Sequence, residues 1–404
     1  VVRNNLLPSQ NFNSSAFDHE NNLWLGTLNN GAVRINDINT LYKNTDIDYS
    51  LFKFQNRQLR ISCFNTTSNN RFWVGSFDKG IFRLDIKKNP FKEFDGQSPY
   101  QFGVSDRHLI HIAPLDDHRT YLTKNQGGLA LFNSETSQFD PLPSVFSDKY
   151  ASRISSVYID KRKRTWFMVR EKGYFRLNPG EKNPLPINIS SLPEFSEIES
   201  YKITEDKKGN LWLGSRRGVY KISVDKKGNV TRIEALNDNP YFDNFKMILA
   251  RYVYADPEYD FIWVGTAEDG LFRINIKDDP LLKHAKIKHL RMDKKEGGLP
   301  NNFVSAITRT PDGNLWIGTE GAGICKVENS EKEPIFIPFS EKDGLSNNVV
   351  KSINIDNEGN LWIATNVGLN KFYPKEKKFR KFGKEDGLPF EDFWYASSYL
   401  KNGT

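Results

Sequence analysis

Residues 356–369 read Asp356-Asn-Glu-Gly-Asn-Leu-Trp362-Ile-Ala-Thr-Asn-Val-Gly368-Leu369. The opening Asp-x-x-Gly-Asn is tight-turn chemistry: glycine supplies a positive φ, and the aspartate carboxylate bonds back to nearby backbone N–H groups. Leu-Trp-Ile-Ala-Thr is an unbroken apolar run between turn signals, which suits a short strand buried on both faces. Upstream, Val350-Lys-Ser-Ile-Asn-Ile355 alternates and stops at the aspartate, giving a first strand, A. The apolar run is strand B. Strand C follows the loop that ends in glycine, as Leu271-Phe-Arg-Ile-Asn-Ile276 does in another copy, and strand D is short and aromatic, as in Lys378-Phe-Arg-Lys-Phe382. Strands this short, joined by turns this tight, form an antiparallel meander.

The segment recurs. Asp206-Lys-Lys-Gly-Asn-Leu-Trp212-Leu-Gly-Ser-Arg-Arg-Gly218-Val219 and Gly313-Asn-Leu-Trp316-Ile-Gly-Thr319 are close copies, Trp24, Trp73, Trp166 and Trp263 anchor others, and Tyr121 replaces Trp in the third. The eight anchors stand 45 to 53 residues apart, the period of a propeller blade. A lone meander cannot bury its two faces, whereas stacking meanders radially buries both and leaves only short edges. Helical periodicity is nearly absent, and a β-sandwich has no need of one Trp motif eight times. The fold class is therefore all-β, a β-propeller of four-stranded antiparallel blades.

Bulk properties agree and exclude some roles. A chain of 404 residues exceeds a single core, but a repeat array adds core with every unit. No run of 18 apolar residues is present, so nothing here reads as a membrane-spanning helix. The opening Val1-Val2-Arg3 has no charged-then-apolar leader and reads as the start of an excised or processed piece. Cys63 and Cys325 lack metal or disulfide-framework spacing and are expected as two buried free thiols. The 57 basic residues are interleaved with 50 acidic ones, which reads as a solvated surface rather than a nucleic-acid footprint. The Asp-x-x-Gly-Asn turns lack the alternating carboxylates and closing Glu of a calcium loop, and no cofactor motif occurs.

Written out in full, the motif resembles the two-component-regulator propeller repeat, Asp-x-x-Gly-Asn-Leu-Trp-Ile-Gly-Thr-x-x-Gly-Leu. Such repeats build the periplasmic sensor regions of hybrid two-component systems in gut Bacteroidetes, and the resemblance covers essentially the whole chain. Repeats 3 and 4 depart most, through Tyr121 and through Trp166-Phe-Met-Val169, which lacks the Gly-Thr pair. The resemblance implies two seven-bladed propellers followed by a triple-tyrosine domain, a transmembrane helix and a histidine kinase, with dimerisation through regions outside this chain. On that reading residues 1–95 are two blades ending one propeller, 96–383 are six blades of the next, and 384–404 open its final blade, as Asp386-Gly-Leu-Pro-Phe-Glu-Asp-Phe-Trp394 suggests. A single eight-bladed ring is the alternative.

In a propeller the B–C and D–A connections share one end, where a rigid scaffold presents loops to ligands. Reading the residue after the strand-B Thr/Ser in each repeat places Lys124, Arg170 and Arg216 at matching points in three consecutive units, with Arg217 beside them. Paired guanidinium groups clamp carboxylate or sulfate bidentately, so the expectation is an anion-recognising rim; ordinary solvated loop charge is the plainer reading. Four residues before the strand-A Asp stand mostly small side chains, including Ser14, Cys63, Ser156, Ala306 and Ser352. His111 and Lys202 break that pattern, either as polar groups pointing into the channel, with His111 titrating near neutrality, or, on the plainer reading, as groups simply hydrogen-bonded there. Asn301-Asn302 and Asn347-Asn348 suit either sugar hydroxyls or turn formation.

Three functions compete. The first, resting substantially on the resemblance, is an extracytoplasmic sensor that binds an oligosaccharide and signals to a kinase. The second is a propeller lyase or glycosidase, for which Glu268, Asp269 and Glu320 are the available carboxylates. The third is a scaffold for protein partners. The first excludes an enzyme within this region and makes membrane attachment a matter for segments elsewhere.

Overall fold

In the computed structural model the described residues are 7, 11–17, 22–28, 31–35, 47, 49–52, 60–66, 71–77, 80–85, 109–124, 128–136, 138–142, 146, 151–187, 198, 200–236, 249–277, 286–383, 386 and 388; for a few of these, Lys124 among them, only the backbone is described. The expected opening strand after residue 384 lies outside them. The chain divides into two compact units, Val1–Pro90 and Phe91–Thr404.

Every sheet is an antiparallel meander in sequence order, and the fold is a β-propeller. In the first unit one sheet holds Phe12–Phe17, Leu23–Thr27, Ala32–Ile35 and Tyr49–Phe52, and a second holds Ile61–Thr66, Arg71–Ser76 and Gly80–Asp85. The second unit holds six four-stranded sheets, numbered third to eighth in chain order. Their first strands are Leu109–Pro114, Ile154–Ile159, Ser200–Glu205, Ala250–Ala255, Val304–Arg309 and Val350–Ile355, and within this unit each packs beside the next.

The motif's residues earn their places through hydrogen bonds. In the fifth sheet Asp206 Oδ1 accepts from the N–H groups of Lys208 and Asn210, both at 2.9 Å, which closes the A–B turn. Its Oδ2 accepts from Asn210 Nδ2 and from Trp212 Nε1, each at 3.0 Å. Trp166, Trp263 and Trp362 donate to Asp160, Asp256 and Asp356 in the same way. The strand-B Thr/Ser hydroxyl donates to the carbonyl of the loop glycine, as Thr319 does to Gly323 at 2.9 Å. These carboxylates are occupied by the turn and the indole.

In the third to seventh sheets the anchor is buried between its own blade and the next. Trp212 packs with Ala250, Val253 and Phe272 of the sixth sheet, and Trp316 packs with Val350, Leu361 and Phe372 of the eighth. The strand-B glycine permits this approach. A Cβ on Gly265 would stand 2.6 Å from the carbonyl oxygen of Val304, and one on Gly214 would stand 2.8 Å from that of Ala250. Polar links add to the seam, notably Arg309, which reaches back from the seventh sheet to clasp Asp256 of the sixth through Nε at 3.0 Å and Nη2 at 2.6 Å.

Two expectations need correction. Cys325 is buried in the core shared by the sixth and seventh sheets, but Cys63, on the first strand of the second sheet, is exposed. The inner positions are not uniformly small either, since the sixth sheet places Tyr252 there, opposite Gly265.

Candidate functional site

Strand A carries the same irregularity in all eight repeats. Between its first and third residues the register with strand B slips by one, leaving Asn13, Ser62, Ile110, Ser155, Tyr201, Arg251, Ser305 and Lys351 without a cross-strand partner. A bulge of this kind re-aims the extra side chain while the ladder continues on either side. It falls where the D–A connection enters the blade, beside the B–C loop. The two are bonded together, as Arg170 N–H donates to Arg153 O at 3.0 Å and Glu320 N–H to Phe303 O at 3.0 Å.

In the second unit these bulges assemble a rim. The Arg251 guanidinium carbon lies 4.7 Å from the centre of the Tyr201 ring and 5.9 Å from that of Phe303, so three consecutive blades contribute two aromatic rings and a cation between them. Next along, Lys351 Nζ is 3.1 Å from Glu320 Oε1, with both side chains largely buried. Arg153 meets Glu171 at 3.2 Å in an exposed pair that contributes little.

The six sequence-derived candidates fall into two groups. Arg170, half-buried, and the exposed Arg216 and Arg217 do stand at the rim, at the end of strand B. Lys124 does not match them. It pairs with Leu109 as the last residue of its strand, the place that Ser215 holds opposite Ser200 in the fifth sheet, so it lies one residue short of the arc. Tyr121 sets that count, because the third anchor is only three residues before Lys124.

His111 and Lys202 meet in the interior instead. His111, 8% exposed, places Nε2 3.0 Å from the carbonyl oxygen of Ser200, which can only accept, so Nε2 carries the proton. Ser156 and Ser200 hydroxyls are 2.8 Å apart, and the Lys202 ammonium stands 4.9 Å from the Tyr252 ring centre. Burial, then the neighbouring Lys202 charge, lowers the His111 pKa to about 4 against the partial support of the Ser200 carbonyl. The expectation that His111 titrates near neutrality is therefore corrected; it is a neutral, hydrogen-bonded residue at physiological pH.

Most of the remaining candidates are engaged structurally. Asn301 and Asn347 cap their own turns, accepting from Phe303 and Val349 N–H, while Asn302 and Asn348 accept from Met292 and Glu341 N–H. Of the three carboxylates, Asp269 is ion-paired with Arg291 at 2.9 Å and Glu320 with Lys351 at 3.1 Å, while Glu268 is exposed. Among the described residues no group of three or more His, Cys, Asp or Glu could hold a metal ion, and no helix is long and apolar enough to cross a membrane.

With this geometry in view, comparison with known proteins is informative. The family model of the two component regulator propeller matches residues 298–321 and 344–367, each spanning a D–A entry, an A–B turn and an anchoring Trp. In those two segments the chain matches the two-component regulator propeller repeat. No curated protein matches it. Among solved structures, the extracellular domain of a protein described as the hybrid two component system BT3049 of B. thetaiotaomicron superposes with a TM-score of 0.67 at 19% identity, over 97% of this chain and 49% of that one. PorZ, a surface component of the type-IX secretion system of Porphyromonas gingivalis, gives 0.55 at 12% identity over 96% of this chain and 60% of that one. A streptogramin B lyase gives 0.53 at 13% identity over 77% and 92%. At such identities these likenesses establish the propeller fold. The chain spans about half the length of the first of these structures.

Proposed function

We propose that these regulator-propeller repeats form the ligand-binding part of an extracytoplasmic sensor region in a hybrid two-component regulator. The ligand is a glycan fragment bearing acidic groups, and the full-length receptor is a periplasm-facing inner-membrane homodimer whose histidine kinase lies outside this chain. The observation that supports this reading best is the rim where Arg251 lies between Tyr201 and Phe303, at the end of the blades where the loops carrying Arg170 and Arg216 also lie. Aromatic rings offer flat apolar faces to sugar rings, and guanidinium groups fork onto carboxylates or sulfates. Binding signals only if it favours one arrangement of the receptor over another, and a rim assembled from several blades reads their relative positions. The ion-paired state of Asp269 and Glu320 supports recognition over turnover.

The first experiment is a thermal-shift panel of neutral and acidic oligosaccharides, since a ligand of the native state raises its melting temperature. An acidic glycan is expected to give a saturable shift with no product formed. Replacing Arg170 and Arg216 together with Ala should weaken that ligand about tenfold and flatten its salt dependence, the loss of one well-formed charge-assisted contact. Unchanged affinity removes the arginines from the site, and no shift across the panel favours a protein-binding scaffold.

A further inference from the structure

The opposite end of the blades, where the A–B and C–D turns lie, holds an arrangement unrelated to the proposed rim. Across the B–C ladder every tryptophan anchor faces a basic residue, which in described cases is partnered. Lys371 meets Asp356 at 2.8 Å, Lys221 meets Glu234 at 3.6 Å, and Arg273 donates to the carbonyl of Ser330. The ammonium groups of Lys221 and Lys371 also lie 5.7 and 5.3 Å from the centres of the indoles they face.

The fourth repeat breaks this rule. Its turn reads Asp160-Lys-Arg-Lys-Arg164-Thr-Trp166, with Arg164 where other copies have Asn210 and Asn360. Arg164 takes the cation's seat as well as the asparagine's: its Nε bonds Asp160 at 2.5 Å and its guanidinium carbon lies 5.6 Å from the Trp166 ring. Arg176 faces Trp166 across the ladder, where Lys371 of the eighth sheet meets its turn aspartate, but in the fourth it is Arg164 that holds Asp160. It is 5% exposed, and among the described residues its buried Nε has no acceptor, nor has Arg164 Nη1. The acids nearby are committed elsewhere. Asp160 also receives Trp166 Nε1 and two backbone N–H groups, Glu205 accepts from Lys161 N–H, and Asp225 closes its own turn with Asn229. Both guanidinium groups converge on Gly228, where a Cβ would lie 2.6 Å from Arg164 Nη1 and 3.0 Å from Arg176 Nη1. Arg162 closes one side, donating to Lys226 O at 2.7 Å.

A buried guanidinium without a counter-charge is costly, and a fork of N–H donors beside a residue lacking a side chain matches a tetrahedral oxyanion. We infer that the notch at Gly228, between the fourth and fifth blades, binds a sulfate- or phosphate-class group. Arg176 supplies the fork and Arg164 Nη1 a further donor, with the turn lysines Lys226 and Lys227 drawing the anion in. Free ion and sulfate ester share this chemistry.

The test is thermal unfolding of the intact chain in millimolar sulfate or phosphate against chloride at matched ionic strength, with galactose 6-sulfate as the ester arm. A saturable rise in melting temperature with the inorganic anions identifies a free-ion site, and tighter saturation by the ester identifies a sulfated ligand. Arg176→Met should abolish the response and melt no lower than the parent in chloride, since it removes the uncompensated charge. Arg176→Lys, which keeps the charge but loses the fork, should weaken the anion at least tenfold and serves if the Met variant fails to fold. A response equal in parent and variants, or none in the parent, overturns the site.

Discussion

At the scale of single residues, the aspartate that ends strand A carries more than any other position of the repeat. Asp206 accepts four hydrogen bonds, two from the turn backbone, one from Asn210 and one from the buried Trp212 indole. Asp206→Ala leaves all four donors without their acceptor, and unsatisfied buried donors cost more than the bonds contribute when made. Chemical denaturation is expected to show a loss of about 2–4 kcal/mol for that variant. The seventh repeat shows what the aspartate does by lacking it: Thr310 stands in its place, and the buried Trp316 Nε1 has no acceptor among the described residues.

At the scale of the strand and the blade, the strand-B glycine sets how closely neighbours approach. Gly265→Ala would place a methyl 2.6 Å from the Val304 carbonyl, a backbone atom that cannot step aside without parting two blades. Overpacking of this kind is expected to cost about 1–3 kcal/mol, measured by urea denaturation, whereas a Cβ on Gly359 in the eighth A–B turn meets nothing within 4 Å. Blade architecture was legible because its signals are local: a turn aspartate, a buried indole and a loop glycine at fixed offsets. The rim was only half legible. Arg170 and Arg216 follow the strand-B motif directly, but Tyr201, Arg251 and Phe303 were missed, because a bulge breaks the two-residue alternation by which strand residues are assigned to faces. Lys124 was misplaced for a different reason: Thr123 stands one residue earlier in the third strand B than the Thr or Ser of other copies, so counting from it stops short. Arg176 reads in the sequence like its counterparts; only the substitution of Arg164 for asparagine signals that their shared carboxylate is already taken.

At the scale of the whole molecule, two strongly shifted groups contribute to the response to acid. His111 is lowered from 6.5 to about 4, so between those values the unfolded chain takes up a proton that the folded chain refuses. Stability is complete above pH 6.5, falls as pH drops toward 4, and changes no further below; the span corresponds to roughly 3 kcal/mol. Asp356 behaves differently. Its burial alone would raise its pKa, but hydrogen bonds from Lys371, Asn360 and Trp362 outweigh that and hold it at about 2. Its contribution is complete above 3.8 and is lost as pH falls toward 2. Melting temperature against pH should thus decline in two separate windows, and His111→Gln should remove the upper one alone. A single transition, or a variant with an unaltered profile, would contradict this assignment.

The recurring bulge has a consequence for diversification. At that one position the eight copies carry asparagine, serine, isoleucine, serine, tyrosine, arginine, serine and lysine, while the turn aspartate and aromatic anchor vary far less. Because the bulged residue stands outside the ladder, the partly exposed ones, such as Tyr201 and Arg251, can change without breaking it, whereas Ser155 and Ser305 are buried. The scaffold thereby separates inheritance of shape from inheritance of selectivity, and a combinatorial library confined to these positions would explore new binding preferences on an unaltered frame.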